Sequence, residues 1–550
     1  MIFAFFEFVA QKKLEIPLQT WWSRHGAETD LSTTRKGFRV KRITRKLLAK
    51  RKRRIERRLR KMQWAEQPQP MLTARNIQYE LADKSQGVAC GGIGAMHLLA
   101  IQTGLIKAID QDLHLLKVHL PYHESDHVLN IAYNILAGGT CLQDIELQRT
   151  QEAYLDALGA KRIPDPTTAG DFGRRFRVPD IETLMNTINR VRLGVWKQQP
   201  HAFFEQAIID ADGTLAATYG ECKQGMDISY KGSWGYHPLV VSLANTGEVL
   251  YLVNRSGNRP SSEGAAERID QSIGLCREAG FKKILCRGDT DFSQTHRLDG
   301  WDGAGVGFIF GINAMANLVQ LAENLPKSAW NRLVRRAKHA VGTEERARPE
   351  NVKDRIVRER EFENIRLRSE DVAEFMYRPT ACQKSYRVVA VRKNLTREKG
   401  EEALFDEVRY FFYITNQWEL SAEQVVPVAN GRCNQENLIE QLKNGARAME
   451  MPAGDLVSNW AYMVMASLAW TLKAWLALSL PEDGRWAAKH KAQKESLLRM
   501  EFKGFLNAVI RLPAQIVRTS GRIIYRLLSW NPWQAVLLRA VEMLRRPMRC

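Results

Sequence analysis

The sequence predicts an α/β (α+β) protein, with a mixed sheet at its centre and helical regions on either side. From about residue 200 the hydrophobic pattern changes to the order strand, hairpin, helix, strand, which is typical of an α/β layer fold. Residues 340–405 are charged, alternate in places and lack helical periodicity, which predicts a β-rich insertion. A chain of 550 residues is too long for one ordinary domain, so we expect a core with appended regions.

A strongly basic segment lies near the start of the chain. Residues 35–61 hold 16 Lys or Arg and a single acid, Glu56, and so supply +15 of the formal charge of +20. Nucleic acid is the commonest partner of so basic a surface, and we favour nonspecific contact with phosphates, whose affinity falls steeply with salt. An amphipathic membrane helix and a disordered extension without a target are the alternatives.

Cysteine spacing and one apolar stretch indicate where in the cell the protein is expected to reside. Eight cysteines are scattered without a Cys-x-x-Cys pair, which fits a reduced cytosolic protein. Residues 460–480 are long enough to span a membrane, but Lys473 interrupts them, so a buried core helix is favoured. We therefore expect a cytoplasmic protein without a membrane partner.

Residues 76–195 are predicted to be mainly helical. Asp165 or Thr167 can cap a helix whose next turns carry Arg174, Arg175 and Arg177. A short turn followed by a basic helix is typical of a helix-turn-helix DNA reader, although any capped basic surface helix gives the same pattern.

The same region contains four closely spaced histidines. Their spacing matches no standard zinc pattern, so surface or capping histidines are favoured over metal ligands at His114, His119, His123 and His127.

Two predicted strands end in acidic residues. The strand at 207–214 carries Asp210 and Asp212, which alternation places on one face, so either is a candidate ligand. The strand at 282–286 leads directly into Asp289 and Asp291. Each pair lies where a strand of an α/β core ends.

A third acid lies on a predicted helix over residues 432–443. At about 100° per residue, Arg432, Glu436 and Lys443 share one face, and the apolar residues Leu438 and Leu442 lie on the neighbouring, buried face. A carboxylate between two cations is suited to bind a metal ion beside a phosphate that the cations hold. The alternative is a solvated face with weak ion pairs.

Together the three acidic positions suggest a carboxylate cage for divalent cations in a basic chain. Carboxylates suit hard ions such as Mg²⁺ and Mn²⁺, and two such ions can support an in-line displacement at phosphorus. Three acids lie close together only when cations compensate their repulsion.

The order Asp-Gly-Thr, then Arg-Gly-Asp-Thr-Asp-Phe, then Arg-x3-Glu-x6-Lys resembles a bacterial insertion-sequence transposase of the DDE type. More narrowly, it resembles the branch with a ribonuclease-H-like core, a β-rich insertion and a Tyr-Arg-Glu-Lys signature. The stretches Tyr230-Lys-Gly and Tyr236-His-Pro-Leu are also similar to that branch. The resemblance covers residues from about 65 to 540 and leaves the N-terminal segment unexplained.

Carried over by position, the resemblance implies that Asp212, Asp289 and Glu436 are the catalytic metal ligands. Asp210, Asp291 and Glu440 are the respective rivals, and the family tyrosine falls at Ala429, so that part of the signature is missing. The residues implied to contact DNA are Arg432, Lys443, Arg174, Arg175, Arg177 and Lys231.

The resemblance also implies a reaction and its partners. Two Mg²⁺ or Mn²⁺ ions would support hydrolysis at the element's end, and the released 3′-hydroxyl would then attack target DNA. The expected partners are double-stranded DNA, both terminal inverted repeats and target, and a second copy of the chain. The expected location is the cytoplasm, at the nucleoid when the protein is bound to DNA.

Three other functions compete with DNA transposition. A metal-dependent nuclease without strand transfer would share the same acids. A catalytically inactive DNA-binding regulator derived from a transposase would not need all three of them. A peripheral membrane protein would use the basic segment and leave the acids unexplained.

The predicted division of the chain combines these patterns. Its parts are a flexible basic extension at 1–65, a helical DNA-binding domain at 66–195, the ribonuclease-H-like core at 196–335 and 406–480, the β-rich insertion at 336–405 and a basic helical region at 481–550.

Overall fold

The computed structural model describes residues 42–60, 74, 77–79, 86–335 and 351–545. The start of the basic extension and the first part of the predicted insertion therefore lie outside the described residues. Within residues 42–196 the elements are α1 (Arg42–Arg60), β1 (Gly87–Val88), α2 (Ile93–Gln102), α3 (Leu105–Asp112), α4 (Glu124–Ala137), α5 (Ile145–Arg149), α6 (Glu152–Leu158), α7 (Pro166–Gly173) and α8 (Val178–Trp196).

The middle of the chain contains most of the strands. They and the intervening helices are β2 (Gln206–Gly213), β3 (Ala216–Ala217), β4 (Asp227–Ile228), β5 (Trp234–Tyr236), β6 (Leu239–Leu243), β7 (Glu248–Val253), α9 (Ala265–Ala279), β8 (Lys283–Gly288), α10 (Leu298–Gly303), β9 (Gly307–Ile312), α11 (Ala316–Glu323), β10 (Asn331–Arg332), α12 (Val352–Glu359), β11 (Glu363–Tyr377), β12 (Tyr386–Lys399) and β13 (Glu402–Thr415).

The last part of the chain is mainly helical. Its elements are α13 (Ala422–Asn430), α14 (Cys433–Glu440), α15 (Leu456–Leu478), α16 (Ala487–Arg499), α17 (Phe502–Phe505), β14 (Ala514–Thr519), β15 (Arg522–Leu527) and α18 (Gln534–Leu544).

A nine-stranded mixed sheet forms the centre of the protein, in the order β10-β11-β12-β13-β9-β8-β2-β6-β7. Strands β2, β6 and β7 form an antiparallel meander, while β8 pairs in parallel with β2 and β9 pairs in parallel with β8. This five-strand arrangement is that of a ribonuclease-H-like core, and the predicted α/β class is confirmed. Parallel pairing of β2 and β8 brings their carboxyl ends to the same edge of the sheet.

The β-rich segment extends this sheet rather than forming a separate one. Strands β11, β12 and β13 are long antiparallel neighbours, and the end of β13 pairs with β9 of the core, with Thr415 opposite Ile309. The predicted boundary at residue 405 falls inside β13, so one strand belongs to both parts.

Helix α15 is the central helix of the core. It is the only helix in the described part of the chain that is long and apolar enough to cross a membrane, and that window is 100% buried inside the protein. The prediction of a buried core helix here is confirmed.

A buried carboxylate links α15 to the sheet. Glu248 on β7 is fully buried and accepts hydrogen bonds from Trp196 on α8 and Trp475 on α15, both at 2.9 Å. It also accepts a hydrogen bond from Thr246 at 2.7 Å and pairs with buried Arg192 at 3.1 Å. Four partners compensate the desolvation of the charge.

The C-terminal region differs from its predicted helical character. Strands β14 and β15 form an antiparallel hairpin whose turn contains Ser520 and Gly521, both with positive φ (45° and 71°). The β-branched residues Ile516, Val517, Ile523 and Ile524 on the two sides of a turn with these conformations favour a hairpin over a helix. The prediction of an all-helical region was therefore wrong over residues 514–527.

The hairpin packs against the N-terminal helices. Its strand β14 pairs with β1, and the Tyr525 hydroxyl donates to the Ala157 carbonyl at 2.7 Å. Gly91, just before α2, and Gly94 within it permit the contact, because a Cβ at Gly91 would lie 2.7 Å from the Ala514 Cβ and a Cβ at Gly94 would lie 2.5 Å from the Tyr525 ring. These glycines thus allow α2 and the hairpin to pack closely together.

Part of the basic extension is an ordered helix. In α1, the Arg51 guanidinium donates to the carbonyls of Leu527 at 2.8 Å and Ser529 at 3.2 Å. The expectation of a flexible segment is thus wrong over residues 42–60, where contacts with the C-terminal region hold the helix.

Replacing Glu248 tests the buried network. We expect Glu248→Ala to lower the free energy of unfolding by about 3–5 kcal/mol, because Arg192 is then left as an uncompensated buried charge. Thermal unfolding followed by circular dichroism measures the change. The matched control is Glu146→Ala, which breaks an exposed pair with Arg149 and should leave the melting temperature nearly unchanged. Equal melting curves for both variants would contradict the role of the network.

Candidate functional site

The carboxyl ends of β2 and β8 place two acids side by side. Asp210 and Arg287 are directly paired in the parallel ladder, and Asp212 and Asp289 lie two residues further along each strand. Burial and the neighbouring Asp289 raise the pKa of Asp212 to about 7. Burial also raises the pKa of Asp289, while the Arg432 guanidinium acts in the opposite direction. The Asp212 and Asp289 carboxyl groups are therefore both shielded from water, and the charge of Asp289 acts on Asp212.

Asp210 is occupied by another interaction. Its two carboxylate oxygens accept hydrogen bonds from Nε and Nη2 of Arg287, both at 2.7 Å, and both side chains are buried. A bidentate pair uses the lone pairs that a metal ion would need. The structure thus favours Asp212 over Asp210 as the ligand on β2.

Asp289 and Asp291 differ in their exposure and in their effect on Asp212. Asp289 begins the short 3₁₀ turn Thr290–Phe292, where its side chain accepts a hydrogen bond from the Asp291 backbone at 3.0 Å. Asp289 also contributes to the raised pKa of Asp212, whereas the Asp291 side chain is exposed. Asp289 is therefore the better candidate on β8.

Helix α14 is held against the core sheet by a buried glutamine. The Gln435 amide donates to the Val240 carbonyl of β6 at 3.0 Å and accepts from the Ser242 hydroxyl. The next residue, Glu436, then lies at the strand ends with 62% of its side chain exposed, 3.8 Å from Arg432. Its charge contributes to the raised pKa of Asp212.

The predicted regular helix over 432–443 is only partly correct. Leu438 and Leu442 are buried as predicted, and Ile439 is buried with them, but α14 ends at Glu440 and a π-helical turn follows at Gln441–Gly445. Tertiary contacts accompany the wider turn, because the Gln441 side chain accepts a hydrogen bond from the Phe502 backbone at 2.8 Å. Periodicity alone could not predict this.

The π turn directs Lys443 towards the strand ends. Its ammonium donates to the Leu215 carbonyl at 2.7 Å, just beyond the end of β2. Burial lowers the pKa of Lys443, and the charges of Glu440, Lys231 and Asp212 also act on it. Glu440 itself accepts a hydrogen bond from Asn444 at 2.5 Å, whereas the charge of Glu436 helps to raise the pKa of Asp212. Glu436 is therefore the better candidate on α14.

The three carboxylates form an open group. Among the described residues, only His119, His123 and Glu124 bring three potential ligand atoms within 4.8 Å of one another. Asp212, Asp289 and Glu436 are thus more widely spaced, as expected for like charges without a compensating cation. Their oxygen-only donor set fits Mg²⁺ or Mn²⁺, which also take ligands from water and phosphate.

The histidine group has a structural explanation. Glu124 is buried, and one of its oxygens accepts hydrogen bonds from the backbone of Leu115 at 3.0 Å and Leu116 at 2.9 Å. Its other oxygen lies 3.0 Å from the His119 ring. These contacts hold the loop before α4. The sequence interpretation of surface or capping histidines is confirmed for His114, His119 and His123, but it was wrong for His127, which is buried and stacks on Phe172.

The predicted basic helix after Asp165 is shorter than expected. Asp165 caps α7 through the Thr168 backbone at 2.9 Å, as predicted, but the helix ends at Gly173. Arg174 and Arg175 therefore lie in the turn before α8, and Arg177 is its N-cap. The arginines sit between two helices instead of on a recognition helix, and their contact with DNA stays a prediction.

Three residues near the site were missed by sequence reasoning. Arg287 and Gln435 hold the strands and α14 in place, and buried His237 contacts the Arg259 carbonyl at 2.8 Å. A Cβ on Gly213 would lie 3.0 Å from His237 Nε2, so this imidazole adjoins the end of β2. For His237, the stretch Tyr236-His-Pro-Leu was the available sequence signal. A single sequence, however, does not show which residue of such a stretch has a role in the site.

The chain matches a protein family over most of its length and also matches several solved structures. The family described as "Transposase DDE domain group 1" matches residues 75–549. A similar solved structure is that of the piggyBac transposase synaptic complex with hairpin DNA, at 9% identity and a TM-score of 0.34, with 76% of this chain and 79% of that chain covered. No protein with a curated description matches the chain.

The raised pKa of Asp212 predicts an unusual pH dependence of stability. The folded protein holds this proton up to about pH 7, whereas the unfolded chain loses it near the ordinary value of 3.8, so stability falls as the pH rises between these values. We expect Asp212→Asn to stabilise the metal-free protein at pH 8 by about 1–3 kcal/mol, and much less at pH 5.

Thermal unfolding in a chelator at both pH values measures this effect. The control is Asp210→Asn, which weakens the pair with Arg287 and should destabilise the protein at both. An Asp212→Asn variant less stable than wild type at pH 8 would contradict the electrostatic analysis.

Proposed function

Because this chain belongs to the Transposase DDE domain group 1 family, we propose that it cuts DNA at the ends of an insertion sequence and joins them to target DNA. The observation that supports this most is the placement of Asp212 and Asp289 at the carboxyl ends of β2 and β8, with Glu436 in the first turn of α14. Phosphoryl transfer depends on positioning and charge stabilisation, and rigid strand ends supply positioning.

In this proposal the three carboxylates hold Mg²⁺ or Mn²⁺, two ions in the complete complex. When bound, the ions would activate the attacking oxygen and stabilise the leaving oxygen. Asp212 and Asp289 are already electrostatically coupled, so a cation between them would relieve the repulsion that raises the pKa of Asp212. Glu436 is the most exposed of the three and would complete the group from the side of the helix.

The cations around the acids are suited to hold the DNA backbone. Arg432 acts on the pKa of both aspartates, and Lys443 lies beside the end of β2. Lys231 is exposed and close enough to act on Lys443. Two or three cations around a metal-binding group would orient a phosphodiester over the carboxylates.

The partners follow from the reaction. The proposed substrates are the terminal inverted repeats and a target duplex, and two ends handled together imply a homodimer on DNA. Arg174, Arg175 and Arg177 would contact the backbone from the turn before α8. We place the protein in the cytoplasm, at the nucleoid when it is bound to DNA.

The proposal is tested with DNA carrying the two ends of the element. We expect wild type to cut this DNA in Mg²⁺. The variants Asp212→Asn, Asp289→Asn and Glu436→Gln should still bind the DNA, but their cleavage rate should fall by more than about 100-fold. Substitution of a residue that only supports a metal ligand can already lower activity by up to about 100-fold, and loss of a ligand should cost more. The matched controls are Asp291→Asn and Glu440→Gln. Each removes a nearby carboxylate charge that does not belong to the proposed ligand set, so both variants should retain cleavage.

The products separate the competing functions. Strand transfer into a target plasmid supports a transposase, while cleavage without joining supports a nuclease. If wild type binds DNA and neither cuts nor joins it in Mg²⁺ or Mn²⁺, the protein is a DNA-binding regulator. Unchanged cleavage by all three ligand variants would contradict the assignment of the site.

A further inference from the structure

A second group of potential metal ligands lies outside the proposed catalytic site. His119 and His123 lie in the loop between α3 and α4, and Glu124 is the first residue of α4. In the described part of the chain, no other three His, Cys, Asp or Glu residues bring their ligand atoms within 4.8 Å of one another. These three residues are called the histidine group below.

Glu124 supplies a carboxylate that the backbone holds in place. It is 1% exposed, and its Oε1 accepts hydrogen bonds from the backbone of Leu115 at 3.0 Å and Leu116 at 2.9 Å. Its Oε2 lies 3.0 Å from Nε2 of His119. Hydrogen bonds that orient a ligand are part of well-formed metal sites. One oxygen of Glu124 is thus anchored, and the other is directed at an imidazole.

The two histidines approach this carboxylate from the solvent side. Both residues are exposed, and their rings are stacked with centroids 4.4 Å apart and planes at 12°. A metal ion binds imidazole through the lone pair in the plane of the ring, so the ion would turn the His123 ring out of the stack. Exposed side chains change rotamer readily, so this movement needs no change in the fold.

The spacing of the ligand atoms is close to that of a zinc site. In a tetrahedral site with bonds of about 2.1 Å, the ligand atoms lie about 3.4 Å apart. The contact between His119 and Glu124 is already this short, at 3.0 Å. The other separations are at most 4.8 Å and would shorten by no more than about 1.4 Å.

The donor set of the histidine group selects a different ion from that of the catalytic acids. Imidazole nitrogens suit Zn²⁺ and similar transition ions, whereas Mg²⁺ prefers oxygen ligands. Two histidines and one carboxylate form a known zinc ligand set that leaves a fourth position to water. Asp212 and Asp289 offer oxygen alone. The chain therefore offers one group of ligands for hard ions and another for Zn²⁺.

The fold creates a site that the sequence spacing did not predict. His119 and His123 are surface residues, as predicted, and their spacing differs from the standard zinc patterns. They meet Glu124 because the loop after α3 returns to the start of α4, which packs against the core helix α15. An ion bound here would fasten this loop to a helix of the packed core.

We propose that His119, His123 and Glu124 bind one Zn²⁺ ion and that the ion fastens the loop between α3 and α4. Water would occupy the remaining position. The site goes beyond the proposed function and is independent of it, because none of the three ligands belongs to the catalytic acids.

The test is a titration of the full chain with Zn²⁺ by isothermal calorimetry, in excess Mg²⁺ to compete for the oxygen ligands at the ends of β2 and β8. We expect a Zn²⁺ site whose affinity falls by more than about 100-fold in His119→Ala, His123→Ala and Glu124→Gln, since each loses a ligand. Zn²⁺ should also raise the melting temperature of wild type, because it binds the folded state, and should raise it much less in these variants.

The matched control is His114→Ala, which removes another exposed histidine from the same loop. This variant and Asp212→Asn should bind Zn²⁺ like wild type. Melting curves without metal show whether each variant is folded. The exposed His119 and His123 test the site even if the change at buried Glu124 prevents folding.

Four outcomes would overturn the inference. These are absence of Zn²⁺ binding by wild type, unchanged affinity in folded His119→Ala and His123→Ala, and an equal loss in His114→Ala, which would indicate nonspecific surface binding. The fourth is a loss in Asp212→Asn without a loss in the histidine variants, which would assign the Zn²⁺ to the catalytic acids. Each leaves the proposed function standing, since that is tested separately by cleavage in Mg²⁺.

Discussion

The buried pair between Asp210 and Arg287 is the constraint on which the site depends. It joins β2 to β8 through two hydrogen bonds of 2.7 Å, and a third from Arg287 to the Val428 carbonyl at 2.8 Å adds the end of α13. Loss of one partner of such a pair costs about 3–5 kcal/mol, because the other charge remains buried. Gly431 belongs to the same arrangement, since a Cβ there would lie 2.3 Å from Arg287 Nη1.

The site gains its chemistry at the expense of local stability. The same register that satisfies Asp210 brings Asp212 and Asp289 together without an equivalent partner, and burial and mutual repulsion raise the pKa of Asp212 to about 7. Groups placed for function are commonly unfavourable for folding. The ion pair between Asp210 and Arg287 therefore holds the two strands together. The neighbouring Asp212 and Asp289 remain available to bind a cation beside a phosphate.

Strand periodicity and turn signals predicted the core well, because β2, β8 and the hairpin of β6 and β7 follow local hydrophobic patterns. Contacts between distant residues were not predictable. The π turn at Gln441–Gly445 accompanies a contact with Phe502, the helix after Asp165 ends at Gly173, and the hairpin at 514–527 lies in a basic stretch that resembles a helix. Within the site, strand alternation placed Asp210 and Asp212 on one face. It could not show that Arg287 forms its ion pair with Asp210 and leaves Asp212 without an equivalent partner.

Binding of Mn²⁺, followed by the loss of the electron paramagnetic resonance signal of the free ion, tests the central claim most directly. The measurement is best made with His119→Ala as the background, since His119, His123 and Glu124 bring three ligand atoms within 4.8 Å and could bind Mn²⁺ themselves. In that background we predict Mn²⁺ binding that Asp212→Asn and Glu436→Gln weaken strongly and Glu440→Gln leaves unchanged. Identical titrations for all of these variants would contradict a metal site formed by the ends of β2 and β8 and the first turn of α14.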